Sequence, residues 1–161
     1  MKNCIVTTFA NDLDGDRPPA QPQSIIGEAI RFSVGIPEID EEHQQLFRCL
    51  DTINAALHSA YSFSAAYQAL ETLSEYTRTH FRVEECLMRM MGYPGFEGHQ
   101  AQHQSFIAEL DSLREKMLRY DAAPDVSQFL TDWLLNHIRI ADTDYADYFA
   151  ALGLKVSPAR L

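Results

Sequence analysis

Residues 80–103 read HFRVEECLMRMMGYPGFEGHQAQH. His80 and Glu84 stand four residues apart, as do His99 and His103, so each pair occupies one face of a helix, a turn apart. Between the pairs, Gly92, Pro94 and Gly95 end one helix and force a turn before the next. The stretch therefore reads as two antiparallel helices that bring four metal-type ligands toward one another. Each pair continues a stripe of apolar residues, and an apolar interior is the costliest place to leave an imidazole or carboxylate without a partner. Metal coordination would remove that cost.

The same stripes extend outward along the chain. A helix starting near Ser62 or Ser64 and running to about Met91 carries Ala66, Leu70, Leu73, Thr77, His80, Glu84, Leu87 and Met91 at alternating steps of four and three, the spacing of a bundle seam. Another, from about Phe96 to Tyr120, offers His99, His103, Phe106, Leu110, Leu113 and Met117. Upstream, Gly35, Pro37 and Asp40 punctuate the entry to a helix whose inner stripe is His43, Leu46, Leu50, Ile53 and Leu57. Asp40 is its expected N-cap, and Glu41 and Glu42 suit the positive end of its dipole. Downstream of a break at Asp121 to Pro124, a fourth helix presents Val126, Leu130, Trp133 and His137. Four amphipathic helices with short loops predict an all-α, up-down-up-down antiparallel four-helix bundle with an N-terminal arm.

Length and charge bound the alternatives. A chain of 161 residues is expected to form one folded domain, here residues 25–161, after a flexible leader over 1–24 rich in Asp, Pro and Gln. Twenty-three acidic against 13 basic residues leave a net charge of −10, which repels nucleic acid and anionic membranes. No stretch reaches membrane-spanning length. Three cysteines, without a CxxC pair, point to free thiols in a reducing compartment, so a cytoplasmic protein is expected.

Five of the six histidines, with Glu84 and Asp142, make a seven-member ligand set: His43, His80, Glu84, His99, His103, His137 and Asp142. One ion cannot comfortably hold seven side-chain ligands of which five are imidazoles. Two ions bridged by the carboxylates can, because a carboxylate has two oxygens while an imidazole gives one nitrogen to one metal. His137 and Asp142 are five residues apart, a rotation of roughly 140° in an ideal helix. The fourth helix must therefore distort or end between them for both to converge. His58 falls where the first helix is ending and reads as a surface residue. Glu41 and Glu42 read as helix-start chemistry, and Glu85 points about 100° away from Glu84 and is set aside. For Tyr145, one turn past Asp142, a hydrogen bond behind the ligands and plain packing stay open.

The segments SVGIPEIDEEHQQLF (33–47), HFRVEECLM (80–88), YPGFEGHQAQHQSF (93–106) and WLLNHIRIADTDY (133–145) closely resemble the hemerythrins, especially the single-domain bacterial ones. The resemblance covers nearly everything after Ser33, and its signature H…HxxxE…HxxxH…HxxxxD is complete and in order. It implies two non-haem iron ions with a bridging oxo or hydroxo group. His99, His103 and His137 would bind one iron and His43 and His80 the other, with Glu84 and Asp142 bridging. The two-histidine iron would keep an open position for reversible dioxygen binding, walled by Leu46, Phe81, Trp133, Leu134 and Ile138. The implied role is an oxygen carrier, store or sensor, not an enzyme, monomeric, with an oxygen-accepting protein as a further partner. The chain departs from many bacterial members in having Phe32 where a Trp precedes the SVG-like segment, and in its longer leader.

Two other classes stay open on the residues alone: a di-iron enzyme that reduces peroxide or nitric oxide, and a passive iron store. Manganese and zinc also accept His and carboxylate ligands. The ratio of five histidines to two acids inverts that of carboxylate-rich di-iron bundles, which weighs against strongly oxidising chemistry.

Overall fold

Pro37 opens the first helix where a missing N–H costs nothing, since the first four helical amides lack intrahelical partners in any case. The computed structural model describes residues 33–57, 62–118 and 126–154. Among them the chain forms α1 (Pro37–Leu57), α2 (Ser62–Met91), α3 (Phe96–Leu118) and α4 (Val126–His137). From α4 it passes through a π-helical turn, Ile138–Asp142, into α5 (Thr143–Ala151). No strand occurs among the described residues. The leader, His58 and the 121–124 break lie outside them.

Asp40 is not the N-cap. It sits inside the first turn of α1 and reaches back. Its Oδ1 accepts from the Val34 amide at 2.7 Å, and its Oδ2 accepts from the Ser33 hydroxyl at 2.6 Å and the Gly35 amide at 3.2 Å. The arm is thus folded onto the helix start, with Gly35 at φ 79°, a left-handed conformation that favours glycine. At the other end of α2, Gly92 has φ 66°. Its amide donates to Arg89 O and that of Tyr93 donates to Met88 O, a Schellman closure that satisfies the last carbonyls and turns the chain into α3.

Helix α1 packs on α2, α2 on α3, and α1 on α4, which closes the antiparallel bundle. Register explains where the site lies. His43 is near the start of α1, His80 and Glu84 are in the second half of α2, His99 and His103 open α3, and His137 ends α4. Only alternating chain directions bring those points to one end of a bundle. The opposite end is filled by residues such as Leu50, Ile53, Leu70, Leu73, Leu110 and Leu130, all buried. Truncating any of them to Ala is expected to cost about 2–5 kcal/mol. Outside the core, Arg78 forks onto both carboxylate oxygens of Asp111 and Arg114 pairs with Glu71, tying α2 to α3.

The seam read from sequence holds along α1 and α3 but drifts at the end of α2. Met88 is fully buried, while Leu87 and Met91 are only partly so. A straight helix of 3.6 residues per turn outruns a 3.5-residue pattern, so after Glu84 the inward position is four residues on, not three. Leu57, at the end of α1, is likewise only partly buried.

Candidate metal centre

All seven predicted ligands are buried, none more than 4 % exposed. The strain foreseen between His137 and Asp142 takes the form of the π turn. There the Thr143 amide bonds back to Ile138 O, five residues behind, and the Thr143 hydroxyl donates to the same oxygen at 3.1 Å. The widened turn absorbs one extra residue, so His137 and Asp142 face the same interior. Asp142 is fully buried.

Two groups of ligand atoms result. One comprises Glu84, His99, His103, His137 and Asp142, the other His43, His80 and Glu84, and within each the atoms lie within 4.8 Å of one another. Nε2 of His103 is 2.9 Å from that of His99 and 3.0 Å from that of His137. Two imidazole nitrogens at right angles on one ion, with bonds of about 2.1 Å, stand about 3.0 Å apart. The three rings are therefore spaced as ligands of one metal.

The carboxylates divide between the groups. Glu84 Oε1 lies 3.7 Å from His43 Nε2 and 3.6 Å from His80 Nε2, while its Oε2 lies 3.2 Å from His103 Nε2 and 3.9 Å from His99 Nε2. Asp142 presents Oδ2 to His43 at 3.3 Å and Oδ1 to His99 at 3.3 Å and His137 at 3.2 Å. Protein groups alone leave this core unsatisfied. Glu84 Oε2, both oxygens of Asp142 and both nitrogens of His43 are buried without a hydrogen-bond partner. Two cations between the halves would serve the carboxylate oxygens and Nε2 of His43, so the donor set fits a binuclear metal site.

Electrostatics agree. Burial pushes the His43 imidazole toward neutrality, but Asp142 and Glu84 overrule it and hold its pKa up at about 9. Burial raises the Glu84 carboxyl, yet the surrounding histidines, His80 foremost, hold it well below its usual range. Asp142 is also lowered, against burial and the charge of Glu84, chiefly by His137. In the metal-free protein the core holds its anions by keeping a proton on imidazole, the place a metal cation would take.

The outer faces of the ligands are also specified. His80 Nδ1 lies 2.7 Å from Glu42 Oε2, His103 Nδ1 lies 3.2 Å from Glu85 Oε1, and His137 Nδ1 lies 3.1 Å from Gln102 Oε1. A proton on Nδ1 donated outward leaves the Nε2 lone pair pointing inward for a metal. Sequence reasoning assigned Glu42 to the helix start and set Glu85 aside. Both are corrected here. Glu85 does point away from Glu84, but α3 brings the back of His103 to meet it, and Gln100 Nε2 donates to its other oxygen at 2.8 Å. The detectable signal was an acid immediately beside a ligand: Glu42 before His43, Glu85 after Glu84. Tyr145 is both packed and bonded, for its ring is fully buried and its hydroxyl donates to Glu84 Oε1 at 2.8 Å.

Around the site, Leu46, Phe81, Leu134 and Ile138 are buried, whereas Trp133 is only partly so. Phe81 lies flat on His103, with centroids 3.6 Å apart and planes 2° from parallel, and its centroid is 5.8 Å from that of His80. Trp133 stacks on His137 at 4.5 Å and on Phe106 at 3.8 Å.

An all-α bundle whose four helical columns bring seven buried His and carboxylate side chains together has the donor set of a metal-binding protein. The family model for the hemerythrin HHE cation binding domain matches residues 34–149, and the chain belongs to the hemerythrin family. It is similar to the bacteriohemerythrin of Stenotrophomonas maltophilia, at 33 % identity over 124 residues, 74 % of this chain and 78 % of that protein. A bacteriohemerythrin of Clostridium acetobutylicum is 29 % identical over 122 residues, 72 % of this chain and 95 % of that one. Among solved structures, a wild-type hemerythrin crystal structure superposes with a TM-score of 0.68 at 27 % identity, covering 74 % of this chain and 92 % of that one. No helix among the described residues is long and apolar enough to cross a membrane.

Proposed function

We propose that this chain binds dioxygen reversibly at a non-haem di-iron centre, with His99, His103 and His137 on one iron, His43 and His80 on the other, and Glu84 and Asp142 bridging. The observation that carries the reading is the division of each carboxylate, one oxygen toward each histidine group. When bound, the two irons supply the electrons that oxygen takes up and returns. The protein's own residues make that exchange reversible. Glu42, Glu85 and Gln102 fix three imidazoles with the lone pair inward, so little reorganises as charge moves. The Tyr145 hydroxyl holds Glu84 in place from behind. Leu46, Phe81, Leu134 and Ile138, with Trp133 at the edge, would keep water away from oxygen bound at an iron held by His43 and His80.

The similarity to relatives named bacteriohemerythrin supports the oxygen-binding reading, and we propose the role of oxygen carrier or store. We place it in the cytoplasm, as a monomer that hands oxygen to an accepting protein. The test is an absorption spectrum of the anaerobically reduced, iron-loaded protein before and after air. A visible band that appears with air and disappears under vacuum, at two irons per chain, is the expected result. Steady consumption of peroxide or nitric oxide without such a band would replace the carrier reading with an enzyme, and a colourless protein without iron would replace it with a passive metal store or a purely structural bundle.

A further inference from the structure

A line of three tyrosines runs from the centre to the protein surface. Tyr145, hydrogen-bonded to the carboxylate that faces both histidine groups, also lies with its ring centroid 5.6 Å from that of His99. Tyr93 meets Tyr145 edge-on, with centroids 6.4 Å apart and planes at 72°, and Tyr148 meets Tyr93 at 5.5 Å and 61°. Both outer rings are only partly buried, and the Tyr148 hydroxyl donates at the surface to Gly92 O at 3.1 Å. Each ring is thus in contact range of the next.

Edge-to-face aromatic pairs also pack well, so contact alone would not distinguish a conduit from a core. One observation does. The Tyr93 hydroxyl hydrogen-bonds to no described residue, so protein contacts at position 93 would be served equally by Phe, yet all three positions carry a phenol. A Cβ on Gly95 would stand 2.7 Å from the Tyr93 hydroxyl and two of its ring carbons, so the glycine leaves the space the outer end of the ring occupies. A phenol differs from a phenyl ring in being oxidisable by one electron.

We propose that Tyr145, Tyr93 and Tyr148 form a one-electron conduit that carries oxidising equivalents from the metal centre to the surface at Tyr148. The inference rests on the di-iron reading above. Hydrogen peroxide is the oxidant: its O–O bond breaks, and with two electrons and two protons it gives two waters. Tyr148 supplies the first electron, passed inward through Tyr93 and the ring of Tyr145, is restored by an electron from Tyr148 of a second copy, and then supplies the second electron to the same peroxide, so each phenol is left as a radical. The two radicals couple through a new ring carbon–carbon bond, and the two protons they lose, one from each phenol, match the two that the peroxide takes up. The balance is one peroxide and two tyrosines to two waters and one dityrosine.

The experiment treats the iron-loaded protein with peroxide and reads the radical by freeze-quench electron paramagnetic resonance and the cross-linked peptide by mass spectrometry. Iron content is measured on the same samples. Wild-type protein should give a tyrosyl signal and dityrosine at Tyr148. Tyr93→Phe, which keeps the ring and removes the oxidisable group, should lower that product at least tenfold at equal iron. Tyr67→Phe, at the start of α2 where the ring stacks on Phe63 and touches none of the three tyrosines, should leave it unchanged, and zinc-loaded protein should give none. Equal Tyr148 product in Tyr93→Phe, or oxidation confined to Trp133 on His137, would overturn the conduit while leaving the centre intact. A wild-type chain that holds no iron would overturn the di-iron reading, and the conduit with it.

Discussion

The carboxylate of Glu42 lies 2.7 Å from Nδ1 of His80, on the far side of the ring from Glu84. A partly exposed acid thereby sets the tautomer of an almost fully buried ligand, one of only two imidazoles in its half of the site. Glu42→Gln keeps a hydrogen-bond acceptor but removes the charge that strengthens His80 as a donor to metal. Affinity for the second metal ion should fall about 10–100-fold. Competitive titration against a chelator checks this, and unchanged affinity for both ions would show the contact to be only structural.

Glu84 faces both histidine groups, so Glu84→Ala removes a ligand from each at once. Iron should drop from two per chain to one or none, measured by elemental analysis of protein purified after iron loading. Full stoichiometry in that variant would count against the bridging assignment.

Metal-free protein should show a stability maximum on the acid side of neutrality. His43 is raised from 6.5 to about 9, so its contribution is complete below 6.5 and is lost as pH rises to about 9. Glu84 and Asp142 are lowered from 4.5 and 3.8, so theirs is complete above those values and disappears as pH falls through the folded values. Chemical denaturation of the apoprotein should therefore give stability that declines from pH 6.5 to 9. Metal-loaded protein should lack that decline, because a cation replaces the His43 proton, and loading should release protons. A flat apoprotein profile over this range would contradict the charge balance of the core.

Phe81 lies flat against His103 and is 3 % exposed. Phe81→Ala should cost about 3–5 kcal/mol of stability and open a path for water to the ligands. The oxygenated form of the variant should decay to the oxidised form faster than wild type, followed by loss of its visible band. Equal decay would mean that other residues exclude the water.

The fold was legible because the apolar stripes of α1 and α3 and the Gly92-Tyr93-Pro94-Gly95 turn are local signals. So was the buried cluster of seven His and carboxylate side chains, since five histidines in inward register is a pattern that packing alone does not explain. The five-residue step from His137 to Asp142 even required the helical distortion that the π turn supplies. What escaped the sequence depends on neighbouring helices. Glu85 looks idle from α2 alone, and only α3 reveals that His103 needs an acceptor there. Asp40 resembles an N-cap by residue type, but Pro37 starts the helix three residues earlier and leaves the aspartate free to bind the incoming arm. Leu87 and Met88 exchanged places through an accumulated phase error too small to see over a single turn.

Each of the four helical columns contributes at least one ligand, so a pair of ions here would fasten together segments separated by up to a hundred positions in the chain, from His43 to Asp142. Loss of the ions would then release the knot on which the whole bundle closes, leaving only a proton on imidazole to balance the two carboxylates. Iron supply would accordingly govern the lifetime of this protein as well as its activity, with starvation marking the emptied copies for proteolysis before their neighbours.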